Sequence, residues 1–268
     1  MRIPTEPTSK AFDHIASSYD CAEAANPVLQ CMRARVQATA LRAFSGGNRI
    51  LELGGGTGTD ALYLAERGFT VVGVEPSAQM RQQAWQKIAA AQLCDRVQCV
   101  EGDADHLREL ELYGTFDGAF SNFGALNCTR SLAAVANGLA RLLRPRARVV
   151  LSIMPPVCPW EIGYHVLRGK VTSAFRRVGA TPGVLANVEG TLVRTFYYSS
   201  EDVKKAFRPA FVLEQSYALG VIVPPPYLQR LASAQPVFSW LCRAEERIAG
   251  WSPFNRCGDH LVYQFRKT

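Results

Sequence analysis

Four glycines within five residues follow a short apolar run, and this arrangement limits the fold more than any other stretch of the chain. Residues 50–53 have the composition of a buried strand, the glycines stand at 54, 55, 56 and 58, and a helical pattern begins at Thr59. A strand, a tight turn and a helix in this order open an α/β fold. Because glycine has no side chain, a ligand can approach the backbone and the free N–H groups of the helix's first turn.

Two classes of protein use such a turn, and they differ in the residues around the glycines. Dinucleotide-binding folds use Gly-x-Gly-x-x-Gly or its alanine variant, which the chain meets only weakly with Gly56, Gly58 and Ala61. The pattern Glu-x-Gly-x-Gly-x-Gly fits at every position, from Glu52 to Gly58. A carboxylate two residues before the first glycine favours a ligand with a positive ammonium group and disfavours a pyrophosphate.

The second pattern resembles motif I of the class I S-adenosylmethionine-dependent methyltransferases, in particular those that act on small molecules. The resemblance implies that the turn binds the amino-acid end of S-adenosylmethionine. It places these residues of the motif in the cofactor site: Glu52, Gly54, Gly55, Gly56, Thr57 and Gly58.

Acidic residues at the ends of the next two strands agree with the resemblance. A β-branched run at 70–74 ends in Glu75, about twenty residues after the glycines, a spacing at which a carboxylate reaches a ribose diol. Asp103 and Ala104 follow a third run at 97–101, and the family's similar Gly-Asp-Ala element binds the adenine amino group. Dinucleotide enzymes also predict Glu75, but they do not need Asp103.

The resemblance implies further cofactor contacts. Tyr19 lies on an N-terminal helix that folds over the cofactor cleft in this family, although its ring could equally anchor that helix by packing. Met80 is expected to contact the adenosine or, as readily, to fill the core. The strand exit at Pro76 and the end of the fourth strand complete the expected set with Ser121, Asn122 and Phe123.

Five strands alternating with helices predict a parallel sheet with helices on both faces. The family implies a Rossmann-like, seven-stranded, mostly parallel sheet whose last strand, at 260–265, is antiparallel. The expected parts are an N-terminal helical cover (1–47), the S-adenosylmethionine-binding core (48–154), an inserted substrate lid after the fifth strand (155–190) and a C-terminal part completing the sheet (191–268). In that last part the patterns predict strands at 191–198 and 211–223 and a helix at 228–248.

Prolines interrupt the alternation after residue 154, and aromatic and basic residues follow. The substrate candidates in this lid are Trp160, Glu161, Tyr164 and His165, and His165 is also the candidate base. Aromatic rings at 160 and 164 have helical spacing, so they could instead only seat the lid. A basic amphipathic helix here could also contact an anionic membrane.

The formal charge of +7 is carried without a dense basic run, and Asn122 lacks the two following prolines of amino-group methyltransferases that act on nucleic acids. We therefore expect a small-molecule substrate and no nucleic acid. Eight cysteines without a Cys-x-x-Cys pair indicate reduced thiols, and we expect no metal site, the alternative being zinc at Cys94, Cys99 and His106. With no signal peptide and no long apolar run, we expect a cytoplasmic monomer or homodimer.

The predicted function is methyl transfer from S-adenosylmethionine to a nitrogen, oxygen or carbon atom of a small molecule or lipid-like metabolite. Two alternatives remain at this point. One is an NAD-dependent oxidoreductase, which the weak dinucleotide pattern permits, and the other is a non-catalytic relative that keeps the cofactor-binding fold.

Overall fold

A computed structural model describes residues 8–110, 112, 114–179, 183–188, 191–232 and 235–268. The helices are α1 (Thr8–Ala24), α2 (Pro27–Ala43), α3 (Thr59–Ala65), α4 (Ala78–Ala90), α5 (Leu132–Leu142), α6 (Pro159–Val166), α7 (Val171–Ala174), α8 (Ser200–Phe207) and α9 (Gln235–Ile248). The strands are β1 (Arg49–Leu53), β2 (Thr70–Glu75), β3 (Val97–Glu101), β4 (Phe116–Ser121), β5 (Leu143–Ile153), β6 (Val184–Val188), β7 (Thr191–Thr195), β8 (Phe211–Leu219) and β9 (His260–Lys267).

Seven of these strands form one sheet in the order β3-β2-β1-β4-β5-β9-β8. β1 to β5 are parallel, and β9 runs antiparallel to both of its neighbours. The predicted fold class is therefore confirmed. The last strand is antiparallel as expected, but it lies between β5 and β8, so β8 forms the edge.

Both faces of the sheet are apolar because successive side chains of a strand point to opposite sides. On β1, Leu51 and Leu53 belong to a buried cluster with residues of α5 and α8, whereas Ile50 belongs to a second cluster with residues of α2, α3 and α4. This alternation places helices on both faces.

The C-terminal part differs from the sequence prediction in two places. The strand predicted at 211–223 ends at Leu219, because Gly220 adopts a φ of +73°. The helix predicted at 228–248 is wrong as one element: a 3-10 turn covers Pro226–Ala232 and α9 starts at Gln235, with 233 and 234 outside the described residues. Pro236 accounts for the break, since proline fits the first turn of a helix and not its interior.

The strand predicted at 191–198 is shorter than expected and lies outside the main sheet. It is β7, which ends at Thr195 and pairs with β6 in a separate two-stranded sheet. The predicted boundary between lid and C-terminal part, at 190, separates these two paired strands, and residues 189 and 190 are outside the described ones. The division into four parts stays a prediction.

The carboxyl ends of the five parallel strands, β1 to β5, lie along the same border of the sheet, which we call the carboxyl edge. β9 begins at this border because it runs in the opposite direction. Ligands of open α/β sheets bind at this edge. Among the described residues, no helix is long and apolar enough to cross a membrane.

Candidate active site

The glycine turn after β1 combines a tightly packed residue with an open one. Gly54, Gly56 and Gly58 have φ values of +69°, +52° and +79°, which L side chains rarely adopt. A Cβ atom at Gly54 would lie 2.3 Å from Cβ of Ala125, whereas a Cβ atom at Gly56 would meet nothing within 4 Å. Gly54 thus lets the turn pack against the segment after β4, and Gly56 faces space that a ligand can enter.

Glu52 lies beneath this turn and is almost completely buried. Its side chain is 3% exposed, and no described residue donates a hydrogen bond to Oε2. Burial, with the nearby charge of Asp60, raises the pKa of this carboxyl well above its ordinary value. A buried carboxylate oxygen without a donor is costly, and a cationic ligand would offset that cost.

Glu75 holds the turn in place through both carboxylate oxygens. Oε2 accepts from the Gly56 N–H and Oε1 from the Ser77 N–H, each at 2.9 Å. Burial raises the pKa of Glu75, although these two hydrogen bonds act in the opposite direction. Ser77 also caps α4, because its Oγ accepts from the Met80 N–H at 3.1 Å.

Helix α1 lies across the site and is tied to it at two points. Near its start, Asp13 Oδ1 accepts from Ser77 Oγ at 2.6 Å and from the Gln79 N–H at 2.9 Å. Near its end, Asp20 accepts from the Thr57 hydroxyl at 2.5 Å and pairs with Lys87 at 2.7 Å. The helix is thereby fixed to both the glycine turn and α4.

Tyr19 and Met80, the two predicted cofactor contacts for which the sequence left a packing alternative, lie where α1 packs on the rest of the protein. Met80 is 1% exposed and clusters with Ile15 and Ala16, and the ring of Tyr19 packs against this cluster. Burial, only partly opposed by the charge of Arg33, raises the pKa of Tyr19 to about 12. Both residues therefore anchor α1, and their contact with a cofactor stays a prediction.

A buried polar cluster next to the turn was not predicted. Asp60, the second residue of α3, pairs with Arg33 of α2 and accepts from Gln37 Nε2 at 2.7 Å and Asn122 Nδ2 at 3.1 Å. Arg33 also lies 4.6 Å from the centre of the Phe123 ring. The position of Asp60 just after the glycine motif could have indicated this cluster, whereas Arg33 lies in the predicted N-terminal cover, where nothing in the sequence marks it as part of the site.

Phe123 adopts a φ of +46°, a strained value for an aromatic residue. Such strain is concentrated at functional sites. Ser121 is fully buried, and its hydroxyl donates to the Leu53 carbonyl at 2.9 Å, which joins β4 to β1. Its contact with a cofactor stays a prediction.

An open cavity of about 670 Å³ extends from the turn along the carboxyl edge. It brings together four of the predicted cofactor residues, Gly54, Pro76, Asp103 and Ala104. The Asp103 side chain is 50% exposed, so its carboxylate is accessible to a ligand. The volume suits a nucleoside, since small-molecule sites occupy about 300–1,000 Å³.

The four substrate candidates do not come together. Trp160 and Tyr164 line a second cavity of about 810 Å³, between α6 and the 3-10 turn that follows β8. Glu161 is 1% exposed and pairs instead with Arg176 at 2.5 Å and Arg177 at 2.6 Å. His165 packs beside the Tyr164 ring at 5.3 Å.

These features fit S-adenosylmethionine. The turn offers space at Gly56, a buried carboxylate without a donor lies beneath it, and the accessible carboxylate of Asp103 lines the open cavity next to the turn. A ligand with an ammonium group at one end and an adenine amino group at the other would meet a carboxylate at each end.

Comparison with known proteins identifies the family. A family model described as a methyltransferase domain matches residues 50–146. A demethylmenaquinone methyltransferase of Beutenbergia cavernae is 30% identical over 180 residues, which cover 64% of this chain and 69% of that protein. The chain belongs to the class I S-adenosylmethionine-dependent methyltransferases. This family of enzymes uses S-adenosylmethionine in general, so the predicted family is confirmed and the oxidoreductase alternative is wrong.

Two further proteins extend the comparison. A demethylmenaquinone methyltransferase of Clavibacter sepedonicus is 32% identical over 160 residues, which span 59% of this chain and only 63% of that protein. The structure of the CcbJ methyltransferase from Streptomyces caelestis superposes with a TM-score of 0.64 at 18% identity, covering 98% of this chain and 100% of the other. The second likeness concerns the fold alone.

Proposed function

We propose that this chain transfers a methyl group from S-adenosylmethionine to a small, lipid-like acceptor. The observation that carries the proposal is the buried carboxylate of Glu52, to which no described residue donates at Oε2, beneath a glycine turn that opens onto empty space at Gly56. S-adenosylmethionine, when bound, supplies a methyl group already activated by the sulfonium charge. The protein then has to bind the cofactor and the acceptor, align them with each other and exclude water.

Each part of the cofactor has a matching group at the carboxyl edge. Glu52 would attract the ammonium group, and the glycine turn would lie along the amino-acid end. Glu75 would accept from the ribose, since each of its oxygens keeps a lone pair beside the backbone hydrogen bond already present. Asp103 would accept from the adenine amino group, and α1 would close over the amino-acid end.

The names of the curated relatives suggest a class of acceptor. Both are demethylmenaquinone methyltransferases, and we propose that this chain also acts on a quinone-type ring, in its reduced form. An electrophilic methyl group needs an electron-rich partner, and the hydroxyl oxygens of a reduced ring donate electron density to it. The second cavity suits such a ring because Trp160, Tyr164 and Tyr227 are among its lining residues.

A lipid-like acceptor would be met at a membrane, and one surface of the lid fits that role. We call it the lid face: the exposed apolar residues Val166, Leu167, Val171, Phe175 and Val178. Leu167 is 89% exposed, an unusual value for a leucine. Arg168, Lys170 and Arg176 lie among these residues, and Glu161, the one acidic residue of 155–188, is buried.

Apolar side chains among basic ones fit a membrane surface that carries anionic lipids. Leu167 and Arg168 also line the second cavity. We therefore propose that the lid face rests on the membrane and that the acceptor enters this cavity from it.

The test is transfer of labelled methyl from S-adenosylmethionine to a reduced short-chain demethylmenaquinone, with anionic vesicles, with zwitterionic vesicles and without vesicles. We expect methylated product under all three conditions. We also expect the protein to co-sediment with the anionic vesicles. Leu167→Glu with Phe175→Glu should abolish co-sedimentation, whereas Trp85→Glu, which places the same charge at an exposed apolar residue of α4, should not. If the chain methylated another hydroxylated acceptor but not the demethylmenaquinone, the quinone assignment would be overturned. If a metabolite extract gave no methylated product at all, the proposal of methyl transfer would be overturned.

A further inference from the structure

Asp259 and His260 form a buried pair at the start of β9. Asp259 Oδ2 lies 3.0 Å from His260 Nδ1, and each side chain is 7% exposed. The other ring nitrogen, Nε2, is also buried, and no described residue forms a hydrogen bond with it. Polar atoms buried without a partner are rare in folded proteins, so this nitrogen calls for an explanation.

The pair lies at the edge of the sheet where ligands bind. β9 begins there, and Leu261, next to His260, pairs with Ile153 at the end of β5. The His260 ring meets the Phe123 ring edge-on, with 6.0 Å between their centres. Asn122 and Phe123 both belong to the predicted cofactor site, so His260 lies next to that site.

The lid holds the same pair from the other side. Arg177 Nη2 lies 3.2 Å from Asp259 Oδ1 and 2.6 Å from Glu161 Oε2. Burial alone would raise the pKa of Asp259, but the hydrogen bond with His260 and the charge and hydrogen bond of Arg177 hold it far below its usual range. An ionised Asp259 accepts from Nδ1–H and thereby fixes the tautomer in which Nε2 carries a lone pair.

Other charged and titratable groups lie near the pair and contribute to the electrostatic potential at His260. They are Arg177, Glu161, Cys158, Tyr197 and Tyr227 on the lid side and Arg33 behind Phe123. Glu161 and Asp259 both pair with Arg177, and Asp259 also pairs with His260.

We propose that His260 is the general base of methyl transfer and that Asp259 is its positioning residue. This inference rests on the proposed function and narrows the acceptor to one with a hydroxyl group. The acceptor's O–H bond breaks and an N–H bond forms at Nε2, while the electron pair stays on the acceptor oxygen. That pair forms the new bond to the transferred methyl carbon, and the electrons of the broken C–S bond remain on the sulfur of the departing S-adenosylhomocysteine.

Methylation at a ring carbon uses the same proton path. The electron pair then reaches the methyl group through the ring, the proton displaced from that carbon goes to solvent, and His260 returns its proton to the oxygen. His165, which the sequence favours as the base, lies instead on α6 beside Tyr164.

The decisive variant is His260→Asn, whose amide can still donate to Asp259 but has no group at the position of Nε2. We expect the single-turnover rate with reduced short-chain demethylmenaquinone to fall by about 10²–10⁴-fold, the typical contribution of a general base. The acidic limb of the pH–rate profile should disappear, and S-adenosylhomocysteine affinity should stay unchanged. Asp259→Asn should lower the rate and displace that limb.

The matched control is His165→Asn, which replaces another histidine with a buried ring nitrogen, Nδ1, that has no described partner. It should keep the acidic limb of the pH–rate profile, which His260→Asn should lose. A His260→Asn enzyme that keeps the wild-type rate and acidic limb would overturn the assignment. If the wild-type chain bound S-adenosylhomocysteine but methylated nothing, the proposed function would fail first.

A second readout needs no acceptor. In ¹⁵N spectra of the histidine rings, His260 should carry its proton on Nδ1, towards Asp259, and Asp259→Asn should shift the equilibrium between the two tautomers. A ring protonated at Nε2 in the wild-type chain would contradict the proposal whatever the assay gives.

Discussion

The Thr57 hydroxyl of the glycine turn donates to the Asp20 carboxylate of α1, with 2.5 Å between the two oxygens. This contact fixes the N-terminal helix to the loop that would bind the cofactor. Glu75 and Asn122 are only 7% and 8% exposed in this closed arrangement. We infer that α1 moves to admit the cofactor and closes over it afterwards.

Asp20→Ala should therefore loosen α1. The partly exposed pair with Lys87 contributes about 0.2–1 kcal/mol, so amide exchange in α1 should rise by a factor of about 1.4 to 5 and S-adenosylhomocysteine should associate faster. Hydrogen-exchange mass spectrometry checks this. Glu66→Ala, which removes an exposed pair with Arg67 away from the cleft, is the control. Unchanged amide exchange in α1 would show that the Asp20 contacts do not hold the helix against the glycine turn.

Glu52→Gln should make the free protein more stable and the complex weaker. Because the folded state raises the pKa of Glu52, the native state binds more protons than the unfolded state above the ordinary carboxyl pKa. The wild-type free energy of unfolding therefore falls as pH rises from the ordinary pKa through the raised one, by about 1.4 kcal/mol for each pH unit between them. Denaturation across this range should show the fall in the wild type and not in the variant.

The affinity for S-adenosylhomocysteine should change with pH in the opposite direction. Its ammonium group binds ionised Glu52, so wild-type affinity should increase as pH rises through the same window. The Gln variant should lose about 1.5–3 kcal/mol of binding, the contribution of a hydrogen bond to a charged group, and most of this pH dependence. Equal affinities at high pH would remove the ammonium assignment.

Glu75→Ala should impair both folding and binding. The substitution leaves the N–H groups of Gly56 and Ser77 without their acceptor, at about 1–3 kcal/mol for each one left buried and unpaired. Glu75→Gln keeps one acceptor oxygen and should lower the melting temperature less, while still weakening S-adenosylhomocysteine binding. Thermal unfolding and calorimetry separate the two effects, and full affinity in both variants would exclude a ribose contact.

Much of this site was predictable because its residues adjoin the ends of strands. The glycine motif, Glu75 and Asp103 follow β1, β2 and β3 directly, so a correct strand order brings them to one edge. Arg33 and Asp259 were not predictable in this way. Their partners Asp60 and Arg177 lie 27 and 82 residues away in the chain, and only tertiary packing brings them together.

The lid was the least predictable part for a related reason. The pattern of β7 indicates a strand but not which sheet it joins, since pairing with a neighbouring strand in a local hairpin satisfies the same hydrogen bonds as a place in the main sheet. Glu161 stood beside the aromatic substrate candidates in sequence, yet it is buried against Arg177.

Gly56→Ala should greatly weaken cofactor binding while lowering the free energy of unfolding only slightly. The new Cβ would meet no protein atom within 4 Å, so the cost to folding is the left-handed φ of +52°, about 1–2 kcal/mol. Gly68→Ala is a matched control, with a φ of +94° and nothing within 4 Å, after α3 at the opposite edge. Both should lower the melting temperature similarly, but only Gly56→Ala should lose affinity. Equal affinities would place the cofactor elsewhere.

The most direct test of the central claim is calorimetric titration of the purified chain with S-adenosylhomocysteine and, separately, with NAD. The account predicts that one S-adenosylhomocysteine binds per chain and that NAD gives no heat of binding. Binding of NAD, or no binding of S-adenosylhomocysteine by the folded protein, would contradict it.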